Sequence, residues 1–369
     1  MSSIAHSSAH EARELSRRIA DKPVFCRTIR RADERDVHLY GYAPHDLPVQ
    51  AQPELNLPEG GEMRWHPLRR EWNIYAAHRQ SRTFKPSAAD NPLAPSLPGK
   101  PVTEIPVSDF ELAVFDNKFT SLHPNAQVRS SISGADKRPA RGQCEVIVYG
   151  PKPEGSLHSM GQAQRRLLLA AWADRYEALF SRDCDFVLPF ENRGDDVGVT
   201  LHHPHGQIYG FAETPMMPGR AVEAFASGYS LERDIEHLPY ELIVAARSDV
   251  LAWCPPYARF PFEVWLAPRA QRDGVWSLSE HESDQLAELI GVITDRYDRF
   301  FGQPTPYMFA LHCAPASCSG PYHMTAQFYP ILRAPGRLKY LASVEQHTGV
   351  FTVDVLPEQA ATALRTLEA

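Results

Sequence analysis

Seven residues, Leu201-His202-His203-Pro204-His205-Gly206-Gln207, concentrate more chemistry than any other stretch of the chain. On an extended segment alternate side chains point the same way, so His203 and His205 share a face. Pro204 fixes the backbone between them, and Gly206 lets a phosphate come close to the main chain. An imidazole held in one tautomer by a hydrogen bond to one ring nitrogen keeps the other nitrogen free to attack phosphorus. Gln207 adds a neutral amide donor for charge building on phosphate oxygens. Such a step needs no separate general base when leaving group and acceptor are both phosphate oxygens, already ionised at neutral pH. The pattern therefore predicts a nucleotidyltransferase with His205 as nucleophile. A polar turn with surface histidines, or a metal-binding tract, is the plainer alternative.

Those histidines need a scaffold. Trp72–Ala77, Leu112–Phe115 and Glu145–Tyr149 read as strands, as do Phe186–Phe190 and Gln207–Phe211. Met160–Phe180 has the apolar spacing of an amphipathic helix. The order then recurs: strand Phe262–Leu266, a helix over Ser279–Phe301 opened by a capping pattern, and strands Tyr307–Leu311 and Gln327–Tyr329. His203, Gln207 and Tyr209 in HPHGQIY align with His323, Gln327 and Tyr329 in HMTAQFY, and Asn192 aligns with His312. Each pair is 120 positions apart (323 − 203, 327 − 207, 329 − 209, 312 − 192). An internal duplication follows, with only the first copy carrying His-Pro-His.

Composition sets the class. The 369 residues are 43% hydrophobic and 22% charged, which suits a globular protein with a substantial core. The net charge of −7 argues against a protein that coats nucleic acid. Met1–Lys22 lacks the apolar stretch of a secretory signal, and no window approaches the roughly 18 apolar residues of a membrane helix. The six cysteines are scattered rather than arranged as a disulfide framework, so a reduced, cytoplasmic protein is expected. Many of the 32 prolines fall in loops such as Lys85–Pro106.

His203-Pro204-His205-Gly206-Gln207 resembles the signature of the galactose-1-phosphate uridylyltransferase family, a two-repeat branch of the histidine-triad superfamily. The likeness runs from about Met63 to Val350. It takes in Pro67-Leu68 with Trp72, His78-Arg79-Gln80-Ser81-Arg82, and Phe115-Asp116-Asn117-Lys118-Phe119. Phe190-Glu191-Asn192-Arg193-Gly194, Trp253 to Pro268, Gln327-Phe328-Tyr329-Pro330 and Lys339-Tyr340 complete the series. The resemblance implies an α+β fold of two fused half-repeats, each an antiparallel sheet with packed helices. The expected layout is an N-terminal extension (1–61), a first half-repeat (62–230), a degenerate second (231–350) and a C-terminal tail (351–369).

By the same resemblance His205 attacks the α-phosphorus of a UDP-sugar, with His203 and Gln207 assisting, and a hexose 1-phosphate then takes the nucleotide. Arg79 and Arg82 would hold the diphosphate, as guanidinium forks do well. Asn117 would meet the ribose, Asn192 the phosphate or ribose, Thr200 the phosphate, and Lys339 with Glu345 the hexose. Family members are commonly homodimers.

Departures from the pattern matter too. The family's zinc would need two cysteines where Asn91 and Ala94 stand and a histidine near Pro153. Only His203 remains, too few donors for a tetrahedral site. The second, iron-type site keeps His312 but has Thr325 and Gln327 in place of histidines. No cofactor is expected, and the one substitute set is His312, Cys313, Cys318 and His323. Lys118 replaces an acidic ribose acceptor, Val344 a tyrosine and Phe351 a glutamine, which points to a modified hexose. Alternatives are a phosphorylase or transferase of ADP-sugars, GDP-sugars or dinucleoside polyphosphates, or a non-catalytic nucleotide-binding descendant.

Overall fold

Runs that alternate apolar and polar residues, such as Tyr307–His312 with every second side chain buried, make half-buried strands and set most of this architecture. The computed structural model describes residues 12–45, 60–81, 86–87 and 90–367. Its strands, in chain order, begin with β1 (Ala12–Ile19), β2 (Lys22–Arg30), β3 (Asp36–Gly41), β4 (Glu62–His66) and β5 (Glu71–Tyr75). Next come β6 (Leu112–Asp116), β7 (Lys137–Pro139), β8 (Gly142–Val148), β9 (Phe186–Arg193) and β10 (His205–Phe211). The second half supplies β11 (Ile243–Ala246), β12 (Val250–Trp253), β13 (Val264–Pro268), β14 (Tyr307–His312) and β15 (Thr325–Pro330). Two principal helices are α1 (Gln162–Phe180) and, after α2 (Met216–Ala226) and α3 (Leu231–Glu236), α4 (Glu280–Phe301).

Twelve strands form one antiparallel sheet in the order β1-β2-β3-β6-β8-β10-β9-β14-β15-β13-β12-β11. The order is a palindrome about the β9–β14 seam, with β6-β8-β10-β9 answered by β12-β13-β15-β14. The register agrees: Gln207 pairs with Val146 and Phe190, and Gln327 pairs with Trp265 and Ala310. The 120-residue offset read in the sequence is thus a structural repeat, and the α+β, two-repeat fold is the one observed. Strands β4, β5 and β7 make a separate three-stranded sheet beside it.

Helices α1 and α4 lie together over one face and share a continuous core with the strands of both halves. Helix α4 opens on the expected capping box, Ser279 with Glu282, and closes on Gly302 in the left-handed region (φ 68°). Helix α1 departs from the amphipathic expectation. Its buried residues include Arg165, Arg166, Asp174 and Arg175, because the sheet, α4 and β1 enclose it on several sides. Three of these charges are paired, Arg175 with the buried Glu145, Arg166 with Asp284 and Asp174 with Arg13, and Arg165 donates to the Ala287, Leu157 and His158 carbonyls.

The segment expected to be an N-terminal extension carries β1, β2 and β3, which lengthen the main sheet beyond β6. The C-terminal segment holds a helix, α6 (Pro357–Arg365), after the short α5 (Ser343–Thr348). Helix α6 buries Ala360, Ala361 and Leu364 in the core, and Arg365 stacks over the Tyr240 ring at 4.4 Å. Among the described residues no helix is long and apolar enough to cross a membrane.

Candidate active site

His205 is the first residue of β10, and its neighbours are held tightly. The Tyr149 amide donates to the Pro204 carbonyl (3.2 Å), and His205 pairs with Val148 in the ladder. Gly206 leaves no room for a side chain: a Cβ there would lie 2.6 Å from Tyr149 Oη and 2.8 Å from the Phe190 carbonyl. The motif's glycine is therefore required by packing.

The ring geometry suits a nucleophile. His205 Nδ1 lies 2.7 Å from the His203 carbonyl oxygen, which can only accept, so Nδ1 carries the proton. The Nε2 lone pair is left available. Burial holds the His205 imidazole below its ordinary pKa, opposed by the bond to the His203 carbonyl. That shift favours the neutral ring, the form with a free Nε2 lone pair.

His205 lines a cavity of about 110 Å³ together with Gln207, Thr200, Asn117 and Arg79. Leu93, Phe115 and Leu201 supply apolar walls, and Glu104 with Lys118 a charged part of the lining. Arg79 projects from a short 3-10 turn (Ala77–Ser81) and donates to the Phe119 carbonyl (2.7 Å) and the Tyr209 hydroxyl (3.3 Å). Asn117 Oδ1 accepts from the Phe119 amide (2.8 Å), which fixes its side chain. Five residues singled out in the sequence thus converge, from the residue after β6, from β10, from the loop before β10 and from the turn after β5.

Others stand apart. Arg82 lies outside the described residues. Asn192 is not in the cavity wall; continuing the β9–β10 register by two residues sets it across from His205. Lys339 and Glu345 form an ion pair of 2.9 Å, and Lys339 also donates to the Thr352 carbonyl (2.6 Å). Neither touches the His205 cavity.

The zinc the resemblance implies does not fit this donor set. His203, only 3% exposed, faces the Gly150 carbonyl with Nε2 (2.8 Å) and the Asn91 amide with Nδ1 (2.9 Å). Ala94 offers a methyl group, and the described residues contain no cluster of three or more His, Cys, Asp or Glu side chains placed to hold a metal. The substitute set is not assembled either. Cys313 turns into the core against the Tyr176 hydroxyl, while His312, one position before it on the strand, points to the other face. Cys318 donates to the Gly320 carbonyl, and His323 Nε2 to the Pro268 carbonyl (2.8 Å).

Two contributors escaped the sequence reading. In sequence Asn91 marks only the place of a missing cysteine, yet its amide is a direct partner of His203. Glu104, in the proline-rich loop, pairs with Lys118 (2.9 Å) and Arg35 (2.8 Å). No local pattern marks either residue. Their partners are far away in the chain, although Lys118 in an acidic position was a hint that a carboxylate lay nearby.

Comparison with known proteins places the chain in a family. Residues 56–215 match the galactose-1-phosphate uridyl transferase N-terminal domain, and residues 225–369 its C-terminal domain. A galactose-1-phosphate uridylyltransferase of Thermotoga maritima is 33% identical over 322 residues, covering 83% of this chain and 98% of that protein. One of Streptomyces lividans is 30% identical over 310 residues, covering 78% and 81%. A solved uridylyltransferase superposes with a TM-score of 0.72 at 26% identity, covering 83% of this chain and 97% of that one. Matched in both domains and along nearly the whole of a relative's length, the chain belongs to the galactose-1-phosphate uridylyltransferase family.

Proposed function

We propose that this protein moves a uridylyl group between a UDP-sugar and a hexose 1-phosphate by double displacement through His205. The observation that carries the reading is the Nδ1–H bond to the His203 carbonyl, which presents a neutral Nε2 at the cavity. In the first step a bond forms from Nε2 to the α-phosphorus and the phosphoanhydride bond breaks, its electron pair leaving with the sugar 1-phosphate. In the second a hexose 1-phosphate oxygen attacks the same phosphorus and the imidazole leaves. Neither step requires proton transfer to the enzyme.

Arg79 and the Gln207 amide would face the equatorial oxygens, where charge grows in the transition state. Leu93, Phe115 and Leu201 suit the faces of a base. Glu104, held by Lys118 and Arg35, can accept from ribose hydroxyls where position 118 no longer does. A homodimer is part of this reading, with Lys339 and Glu345 at the hexose; so is a cytoplasmic setting, in keeping with six free cysteines.

Incubation with UDP-glucose labelled at the α-phosphate tests it. An acid-labile, labelled protein should form, vanish in His205→Ala and persist in Thr325→Ala. No label from any UDP-sugar would overturn the proposal. Competition by ADP-, GDP- and dTDP-sugars in the same assay reads the base, and sedimentation reads the dimer.

A further inference from the structure

We propose that Asn91 is a positioning residue for the nucleophile, holding the His203 ring with an amide N–H where the family pattern calls for a metal ion. The inference rests on His205 being the nucleophile. Its geometry is a chain of four hydrogen bonds.

The orientation of the Asn91 amide is set by the backbone: Oδ1 accepts from the Leu93 amide (3.0 Å). Nδ2 therefore faces His203 Nδ1 at 2.9 Å and donates to it. With its Nδ1 lone pair so engaged, His203 carries its proton on Nε2 and donates it to the Gly150 carbonyl at 2.8 Å. The ring is thus clamped between the turn at Asn91–Ala94 and the end of β8. Its own backbone carbonyl receives the Nδ1–H of His205 at 2.7 Å. Clamping His203 sets that carbonyl, and the carbonyl sets which nitrogen of His205 points at phosphorus.

The duplicated half provides an internal control. His323, 120 positions on from His203, makes the equivalent bond from Nε2 to the Pro268 carbonyl (2.8 Å). Its Nδ1 is buried with no hydrogen-bond partner. The residue in the nucleophile's register position there is Thr325, which pairs with His312 as the continued β9–β10 register sets His205 against Asn192. The amide on Nδ1 is present in the half that has an imidazole to aim and missing in the half that does not.

A metal would have to displace a satisfied donor. Zinc on His203 Nδ1 would break the Asn91 bond and then find no thiolate at Ala94 and no donor in the ring of Pro153. The amide does the orienting work without charge, leaving the field at His205 to Arg79 and the substrate.

Two near-isosteric variants separate the possibilities: Asn91→Leu removes the donor, and Asn91→Asp offers an acceptor that draws a proton onto His203 Nδ1 and makes the ring a cation. Single-turnover formation of the uridylyl adduct should slow about tenfold to a hundredfold in both, the range for losing an outer-shell partner. UDP-glucose affinity should change less than twofold. Nitrogen-15 spectra of histidine-labelled full-length protein should show His203 protonated on Nε2 alone in the wild type and on Nδ1 as well in Asn91→Asp, because the Gly150 carbonyl keeps the Nε2 proton in both. Wild-type adduct rates in both variants, or stoichiometric zinc whose removal abolishes activity, would overturn the proposal. If the wild type forms no adduct, the nucleophile assignment fails, and the His203 spectrum alone decides whether Asn91 holds the ring as described.

Discussion

A methyl group at position 206 would stand 2.6 Å from Tyr149 Oη and 2.8 Å from the Phe190 carbonyl, closer than real Cβ atoms come to backbone. Gly206→Ala must therefore push β10 away from β9 or force Tyr149 off its contact with Glu191. Overpacking of this kind costs about 1–3 kcal/mol, and the shift falls on the residue next to the nucleophile. Purified Gly206→Ala should melt lower and form adduct at least tenfold more slowly; an unchanged melt with full activity would mean the strand absorbs the methyl. At this scale the sequence was informative wherever the chemistry is local. His203, His205, Gly206 and Gln207 lie within five positions and could be read from their types alone. Asn91 could not, because its partner is 112 residues away, and neither could Glu104, whose significance comes from Arg35 and Lys118.

Strand β9 carries a carboxylate at the seam of the two halves. Glu191 is buried and accepts from Tyr149 Oη just past the end of β8 (3.1 Å) and from the hydroxyl of Tyr307 on β14 (3.2 Å). Burial raises its pKa to about 7, against the pull of Arg193 and the two hydroxyls. The sign follows from proton counting. Between the unfolded carboxylate's pKa of about 4.3 and about 7, the native chain keeps a proton the unfolded chain has lost, so stability falls as pH rises through that window. At about 1.4 kcal/mol per unit over roughly 2.7 units, the fall attributable to this group is on the order of 4 kcal/mol. Glu191→Gln keeps the shape and removes the titration. Its stability relative to wild type in urea should therefore rise between pH 5 and pH 8. An equal difference at both pH values would refute the assignment. Elements themselves were legible where burial has a simple period: β10, β14 and α4 fall within two residues of expectation. Strand β3 is buried at every position, so it shows no alternation, and β1 is rich in charge because it is the edge strand, mostly exposed, with Arg13 reaching Asp174 on α1. Helix α1 itself looked two-faced in sequence and is enclosed in the fold.

The palindromic sheet makes the two half-repeats one folding unit rather than two domains joined by a linker. Their edge strands pair through Asn192 with Met308 and Phe190 with Ala310, and the core crosses that seam without a break. Trp172 on α1 of the first half stacks on Phe309 of β14 in the second (6.0 Å), and Phe309 in turn meets Phe328 of β15 (4.5 Å). The 120-residue offset made the duplication visible in sequence, but not that the halves join by their β9 and β14 edges. Such pairing depends on backbone groups that every residue carries. Because the seam is both hydrogen-bonded and apolar, neither half can be exposed without exposing the other's core. Phe309→Ala should cost about 3–5 kcal/mol, as expected for deleting a fully buried ring. That loss should appear across the whole chain. Near-ultraviolet dichroism, tryptophan fluorescence and the capacity of His205 to form adduct should all disappear in one shifted transition, with calorimetric and van't Hoff enthalpies equal. Two resolved transitions, with adduct formation surviving the first, would instead mean that the first half holds its active site alone. The seam would then be a docking surface between independent domains.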